Sequence, residues 1–281
     1  MFVEKLGIVD AFGIYQIPPQ ETKKAVLDAI KTGYRLIDTA QSYFNESEVG
    51  QAIVECGVKR EDLFITSKVW IDNYGYEKCK ASVEESLRKL QTDYIDLMLL
   101  HQPFADYYGA YRALEELYQE GKIRAIGVSN FYPDRLADIC LFERKVVPAV
   151  NQIEVNPLNQ HIYDQEIMDK YGVKTEAWAP FGEGRNNMFS NPTITEIGKK
   201  YNKSCAQVIL RWLIQRGVIV VCKSTHLERI QENFDVFDFT LTEEDMQTIK
   251  GLDTKDSLFF NHQDPNMVEW FNSMVYLRRN K

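Results

Sequence analysis

Short apolar runs alternate along this chain with longer stretches whose apolar residues recur at helical spacing. The clearest run is Tyr94-Ile95-Asp96-Leu97-Met98-Leu99-Leu100-His101, bounded by Thr92-Asp93 and Pro103. A run of this kind suits a strand covered on both faces, as strands of parallel sheets are. Ahead of it Cys79, Val83, Leu87 and Leu90 share one helical face. The pattern repeats on both sides. A helix opened by Pro18-Pro19, apolar at Ala25, Val26, Ala29 and Ile30 and stopped at Gly33, leads to a strand at residues 35–38. A helix over 46–56 leads to a strand at 63–68, and one over 77–90 leads to the run ending at His101. Helical faces at Leu114, Leu117 and Tyr118, then at Leu136, Ile139 and Cys140, precede strands at 123–129 and 148–152. A helix near 164–171 ends at Gly172 before a strand at 173–178. The stripe Cys205, Val208, Ile209 and Trp212 closes at Gly217 before a strand at 218–221. A short eighth strand is expected at Phe234-Asp235-Val236, followed by a helix capped at Thr242.

Residues 2–17, with Gly7 and Gly13 among apolar neighbours, predict an N-terminal hairpin. Eight strands alternating with helices, without a Pro/Gly/Ser linker, predict an α/β fold. The expected architecture is one (β/α)8 TIM barrel domain over residues 1–281, with that hairpin and extra C-terminal helices. A doubly wound sheet competes, but no G-x-G-x-x-G follows a strand.

Composition removes several classes of partner. A formal net charge of -8 opposes binding to nucleic acid or an anionic membrane. No uncharged apolar run approaches the ~20 residues of a membrane span. Met1-Phe2-Val3-Glu4-Lys5 lacks the basic start and apolar core of a signal peptide. Five scattered cysteines read as reduced core residues, so a cytoplasmic protein is expected. Nothing demands an oligomer, and a monomer is expected. The four histidines show no H-x-H or clustered pattern, so no metal is expected. Gly127-Val128-Ser129-Asn130-Phe131 lacks the second glycine of a nucleophile elbow.

In a barrel the working residues sit where strands end. Here the ends read Asp38, Lys68, His101, Ser129-Asn130, Gln152, Trp178 and Lys223-Ser224. Alone, Asp38 and Lys68 would be an ordinary buried ion pair, and Tyr43 one of 15 tyrosines. Together they suggest acid chemistry. A phenol with a pKa of about 10 is a poor donor at neutral pH, and an ammonium within ~4 to 6 Å lowers that pKa. Lys68 could supply the charge, Asp38 would keep it protonated, and His101 could hydrogen-bond the same oxygen as Tyr43.

Six segments carry a family likeness: Asp38-Thr39-Ala40 with Tyr43 and Asn45-Glu46; Ser67-Lys68-Val69-Trp70; Leu99-Leu100-His101; Gly127-Val128-Ser129-Asn130-Phe131; Val150-Asn151-Gln152-Ile153-Glu154; and Lys223-Ser224 before Glu228-Arg229-Ile230. In this order the chain resembles the aldo-keto reductases, and among them microbial members similar to 2,5-diketo-gluconate reductase. The resemblance implies NADPH-dependent reduction of aldehydes, ketones or keto sugars, with Asp38, Tyr43, Lys68 and His101 as the catalytic tetrad and Tyr43 as the acid. It also implies that Ser129, Asn130 and Gln152 grip the nicotinamide carboxamide and that Trp178 stacks on the ring. Lys223, Ser224 and Arg229 would hold the 2′-phosphate, and Glu232 and Asn233 would meet the adenine.

The small-molecule carbonyl substrate would lie among Tyr15, Trp70, Gln102 and Phe104. Gln102 stands where many members carry tryptophan, which points to a polar substrate. Short loops at 102–109 and 181–192 resemble members that reduce keto sugars, small aldehydes and diketones. Residues 259–265 are expected to fold over the barrel's side or mouth. Three departures stand out. Cys222 replaces a common proline and would either alter that loop or leave an oxidisable thiol near the phosphate, Ala179 replaces a frequent serine, and Val9-Asp10-Ala11 replaces a glycine-rich turn. The alternative is an NADPH-binding sensor or interaction subunit with little turnover.

Overall fold

The computed structural model describes residues 10–142 and 145–279. Eight parallel strands close into a barrel in chain order: β1 Asp10–Gly13, β2 Leu36–Asp38, β3 Phe64–Val69, β4 Leu97–Leu100, β5 Ile126–Ser129, β6 Val150–Glu154, β7 Lys174–Trp178 and β8 Ile219–Cys222. Most strands are followed by one helix: α1 Pro19–Thr32, α2 Glu46–Glu55, α3 Tyr76–Leu90, α4 Tyr107–Gln119, α5 Pro133–Leu141 and α6 Ile162–Tyr171. Two helices, α7 Pro192–Tyr201 and α8 Cys205–Gln215, follow β7. Three more, α9 Leu227–Phe234, α10 Glu243–Lys250 and α11 Pro265–Arg279, follow β8.

Side chains alternate across each strand. Ala11, Leu36, Phe64, Leu97, Leu99, Ala125, Val150 and Ile219 plug the barrel's interior, while the opposite faces pack against the helices in one large apolar cluster. On β3, positions 64, 66 and 68 share the inward face, so the strand that starts with buried Phe64 delivers Lys68 to the mouth.

Two expectations need correction. Asp10–Gly13 is a barrel strand, paired in parallel with both β2 and β8, and not a hairpin arm. The rest of the expected hairpin, residues 2–9, lies outside the described residues. Phe234-Asp235-Val236 is not a strand; Phe234 ends α9. Its apolar character serves a helix contact: the ring lies 4.9 Å from that of Tyr34, and a Cβ on Gly33 would meet it at 2.6 Å.

Close approach also dictates Gly50 on α2. A Cβ there would stand 2.2 Å from the Lys89 carbonyl oxygen and 2.9 Å from the Leu90 Cα, both backbone atoms that cannot swing aside. Gly50→Ala is therefore expected to lower stability by about 1–3 kcal/mol in a denaturant titration, as overpacking does; an unchanged midpoint would mean that α2 and α3 separate freely.

The C-terminal segment returns over the mouth. Ser257 Oγ and the Leu258 N–H donate to Glu154 at 2.6 and 3.0 Å, and Arg185 donates to the Leu258 carbonyl while its guanidinium lies 4.2 Å over the Phe259 ring. Thr242 caps α10, with the reciprocal bond from Asp245. All five cysteines are free. Among the described residues no helix is long and apolar enough to cross a membrane, and no side-chain cluster could hold a metal.

Candidate active site

The loop after β2 is fixed before it reaches Tyr43. Buried Asn45 donates to the Ile14 and Ile17 carbonyls at 3.2 Å each and accepts from Thr39 Oγ1 at 3.2 Å. Gln41 donates to the Ser82 carbonyl and accepts from the Trp70 N–H at 3.0 Å. These bonds hold the tight turn Gln41–Tyr43 above β2 and β3.

Lys68 is fully buried, and its ammonium has three acceptors: Asp38 Oδ1 at 2.5 Å, the Thr39 carbonyl at 2.9 Å and Tyr43 Oη at 3.3 Å. That matches its three N–H groups. Burial favours the neutral amine, but the Asp38 charge and its hydrogen bond, with the neighbouring Tyr43, outweigh it and hold the Lys68 pKa above its usual value. The effect on Tyr43 differs from the expectation. Burial, the largest influence, pushes the phenol up to about 12; Lys68 pulls it down, as expected, but does not win. Tyr43 is thus firmly protonated, with the charge that would stabilise its anion already beside it.

His101 ends β4, where its N–H donates to the Val69 carbonyl at 3.1 Å. Its ring stands edge-on to Trp70 at 5.0 Å and to Tyr43 at 5.8 Å, with Nδ1 3.4 Å from Ser42 Oγ. The structure therefore brings Asp38, Tyr43, Lys68 and His101 into one group.

A hydrogen-bonded chain continues along the rim. The Trp178 indole N–H donates to Asn130 Oδ1 at 2.9 Å, and Asn130 donates to Ser129 Oγ at 3.1 Å. Ser129 donates to the Gln152 carbonyl at 2.8 Å, and Gln152 Nε2 donates to Asp38 Oδ2 at 2.9 Å and Glu176 Oε2 at 3.2 Å. Asn130 holds a left-handed backbone, φ 63°, a conformation that asparagine tolerates better than most residues.

Asp38, Tyr43, His101, Ser129, Asn130, Gln152 and Trp178 line a cleft of about 550 Å³, as does Lys223, while Lys68 and Glu176 are not part of its lining. Ser224 Oγ accepts from the His226 N–H at 3.1 Å, just before α9. Arg229, Glu232 and Asn233 lie on α9 and do not line the cleft, and Asn233 is buried. Lys223 and Arg229 are exposed, and among the described residues neither has an ion-pair partner.

Of the expected substrate residues, Tyr15, Trp70 and Gln102 line the cleft. Phe104 does not; its ring packs behind, 5.3 Å from that of Phe271. The C-terminal segment supplies further lining: Phe259 and Phe260, within the stretch expected over the barrel's side or mouth, and Trp270, Phe271 and Met274, which the sequence did not reveal. Gln102 Oε1 accepts from Asn130 Nδ2, so part of its polarity is spent inside the protein. The opening is accordingly more aromatic than Gln102 suggested.

The expected oxidisable thiol is also corrected. Cys222 is 1% exposed, with its sulfur 3.3 Å from Tyr34 Oη and 3.6 Å from Asp10 Oδ1, and burial pushes its pKa well up. A buried neutral thiol is inert.

A sequence model of the Aldo/keto reductase family matches residues 6–254. The chain belongs to this family. It is 47% identical over 245 residues to the glyoxal reductase of Bacillus subtilis, an alignment covering 85% of this chain and 87% of that one. Among solved structures, a putative 2,5-diketo-D-gluconic acid reductase B superposes with a TM-score of 0.86 at 38% identity, covering 92% of both chains. An aldo-keto reductase of Bombyx mori in complex with NADP superposes with a TM-score of 0.85 at 35% identity, covering 93% of this chain and 92% of that one. As a family member, this chain has an oxidoreductase fold whose mouth places a tyrosine and a histidine on one cleft, with a buried lysine bonded to the tyrosine.

Proposed function

We propose that this aldo/keto reductase uses NADPH to reduce small uncharged aldehydes, ketones and α-dicarbonyls to alcohols, with Tyr43 as general acid. The observation that carries the reading is the Lys68 ammonium, 3.3 Å from Tyr43 Oη and paired to Asp38 at 2.5 Å. When bound, the dihydronicotinamide supplies the hydride that reduces the carbonyl carbon. Tyr43 gives its proton to the carbonyl oxygen, and the phenolate that remains is stabilised by Lys68. His101 and Tyr43 converge on the place that oxygen would occupy, so both polarise it.

The donor set fits a nicotinamide nucleotide. Trp178 offers a flat face at the rim, and Ser129, Asn130 and Gln152 offer amide and hydroxyl partners for a carboxamide. Lys223 and Arg229 are cations without an ion-pair partner among the described residues, suited to the 2′-phosphate, with Ser224 between them in sequence and Glu232 and Asn233 further along α9 toward the adenine. The relative in complex with NADP supports this preference.

The substrate class follows from the lining. Phe260, Trp270, Phe271 and Met274 are apolar, and the charged side chains of the cleft are Asp38, Glu183 and Lys223. Asp38 is occupied by Lys68, and Lys223 is assigned to the cofactor, so among the described residues a carboxylate-bearing substrate would find no counter-ion. The similarity to a glyoxal reductase agrees with a small dicarbonyl.

Absorbance of NADPH, followed with a panel of aldehydes and α-diketones, tests the reading: saturable consumption is expected, whereas tight binding without consumption would favour a sensor. Lys223→Ala and Arg229→Ala are each expected to raise the KM for NADPH by about tenfold or more, the scale of a lost charged hydrogen bond. The KM for NADH should change far less. Equal losses for both nucleotides would remove the phosphate assignment.

A further inference from the structure

Glu176 sits on β7 opposite Gln152 of β6 and Ile219 of β8, and it is 1% exposed. The reaction described above leaves it without a role. Only one of its oxygens is satisfied. Oε2 accepts from Gln152 Nε2 at 3.2 Å, while Oε1 is buried with no partner among the described residues. The same Nε2 donates to Asp38 Oδ2 at 2.9 Å, and the other Asp38 oxygen takes the Lys68 ammonium at 2.5 Å. Two carboxyl groups thus converge on one amide, and one of them anchors the lysine behind Tyr43. Like charges so placed resist joint ionisation, and the ammonium lies on Asp38.

We propose that Glu176 is a positioning residue of this site: as a neutral acid it fixes the Gln152 amide and keeps the Asp38–Lys68 pair free of excess negative charge, and its ionisation slows carbonyl reduction at alkaline pH. The inference rests on the reductase reading above.

The surroundings favour the neutral form. Burial, then the Asp38 charge, push the Glu176 carboxyl up to about 8, against the pull of Lys68 and of the Gln152 hydrogen bond. The charged and titratable groups that face it are Asp38 from β2 and Lys68 from β3, with Tyr43 bonded to the same ammonium; β6 presents Gln152 and β8 presents Ile219. With the proton on Oε1, Oε2 still accepts from Gln152. Both carboxyls draw the Gln152 NH₂ inward, which leaves its carbonyl oxygen as the amide atom for the cleft and for a carboxamide N–H. When Glu176 ionises, a second negative charge joins Asp38. Tyr43 then holds its proton more tightly, and donation to the carbonyl oxygen slows.

The test compares wild type with Glu176→Gln, which keeps size and hydrogen bonding but cannot ionise. Infrared spectra of the cofactor-free protein should show a protonated-carboxyl C=O stretch at pH 7 that is lost at pH 10 and is missing from E176Q. Its absence from the wild type at pH 7 would overturn the proposal even if the variant did not fold. In wild-type reduction, kcat/KM should fall as one group ionises near pH 8, and E176Q should move that fall upward by about one pH unit or more. Coincident profiles would overturn the proposal.

Stability gives a third readout. An acid with a raised folded pKa makes the protein lose stability as pH rises from its ordinary 4.5 to about 8. E176Q should lack that part of the decline in thermal midpoint, and parallel declines would count against the proposal. A wild type that consumes no NADPH would sink the reductase reading instead, leaving the infrared and thermal results to decide the ionisation of Glu176.

Discussion

Tyr43→Phe is expected to reduce kcat for carbonyl reduction by about 10² to 10⁴-fold, the range a positioned general acid supplies, with NADPH affinity little changed. The substitution removes one oxygen atom and leaves the ring on Tyr15, 5.0 Å away, and near His101. Asp38 also bonds the buried ammonium and lines the cleft, but its oxygens accept, so among the described residues Tyr43 is the one group on that ammonium with a proton to give and nothing else inherits its role. Because burial holds it protonated up to about pH 12, the acid form is present throughout the neutral range. Stopped-flow fluorescence for binding and absorbance for turnover separate the two effects. Near-normal turnover would remove Tyr43 as the acid.

Lys68→Met should be the most damaging substitution to the fold. It leaves the Asp38 carboxylate buried, with Gln152 as its remaining side-chain donor among the described residues. Breaking a buried pair in this way costs about 3–5 kcal/mol, because the stranded charge is uncompensated. The Thr39 carbonyl also loses a donor. Adding Asp38→Asn to Lys68→Met should recover most of the lost stability, since the pair is then replaced by neutral groups, but no activity should return. Urea denaturation of the single and double variants measures this. If the double variant is no more stable than Lys68→Met, the stranded-charge account fails.

The barrel was legible because seven strands, most of them apolar runs, carry a polar or aromatic side chain at their C-terminal end. The eighth was not. Asp10-Ala11-Phe12-Gly13 is short, starts with a carboxylate and ends in glycine, so it resembles a turn. Its neighbours make it a strand. A Cβ on Gly13 would meet Val221 at 2.7 Å, a sign of how closely β8 packs there. With that strand unrecognised, a count of eight drew Phe234-Asp235-Val236 into service, where apolar residues in fact seal a helix end.

The rim residues from Asp38 to Trp178 could be read because each sits at a strand end. Phe260 belongs to the stretch expected over the side or mouth, but Trp270, Phe271 and Met274 could not be placed, since their segment carries no signal linking it to the mouth. Glu154 anchors that segment through Ser257 and Leu258, a partnership more than 100 residues apart in sequence. Glu176 did leave a trace: a carboxylate within the strand Lys174–Trp178, on the same face as Trp178 and therefore inside the barrel. The upward shift of Tyr43 was out of reach, because it depends on how deeply the phenol is buried, and burial follows from the closed loop above β2.

The most direct measurement is a crystal structure of the protein with NADPH. The expected result is the nicotinamide ring stacked on Trp178, its carboxamide on Ser129, Asn130 and Gln152, its C4 facing the gap between Tyr43 and His101, and the 2′-phosphate on Lys223 and Arg229. A cofactor that binds away from Trp178, or with C4 turned from Tyr43, would contradict it.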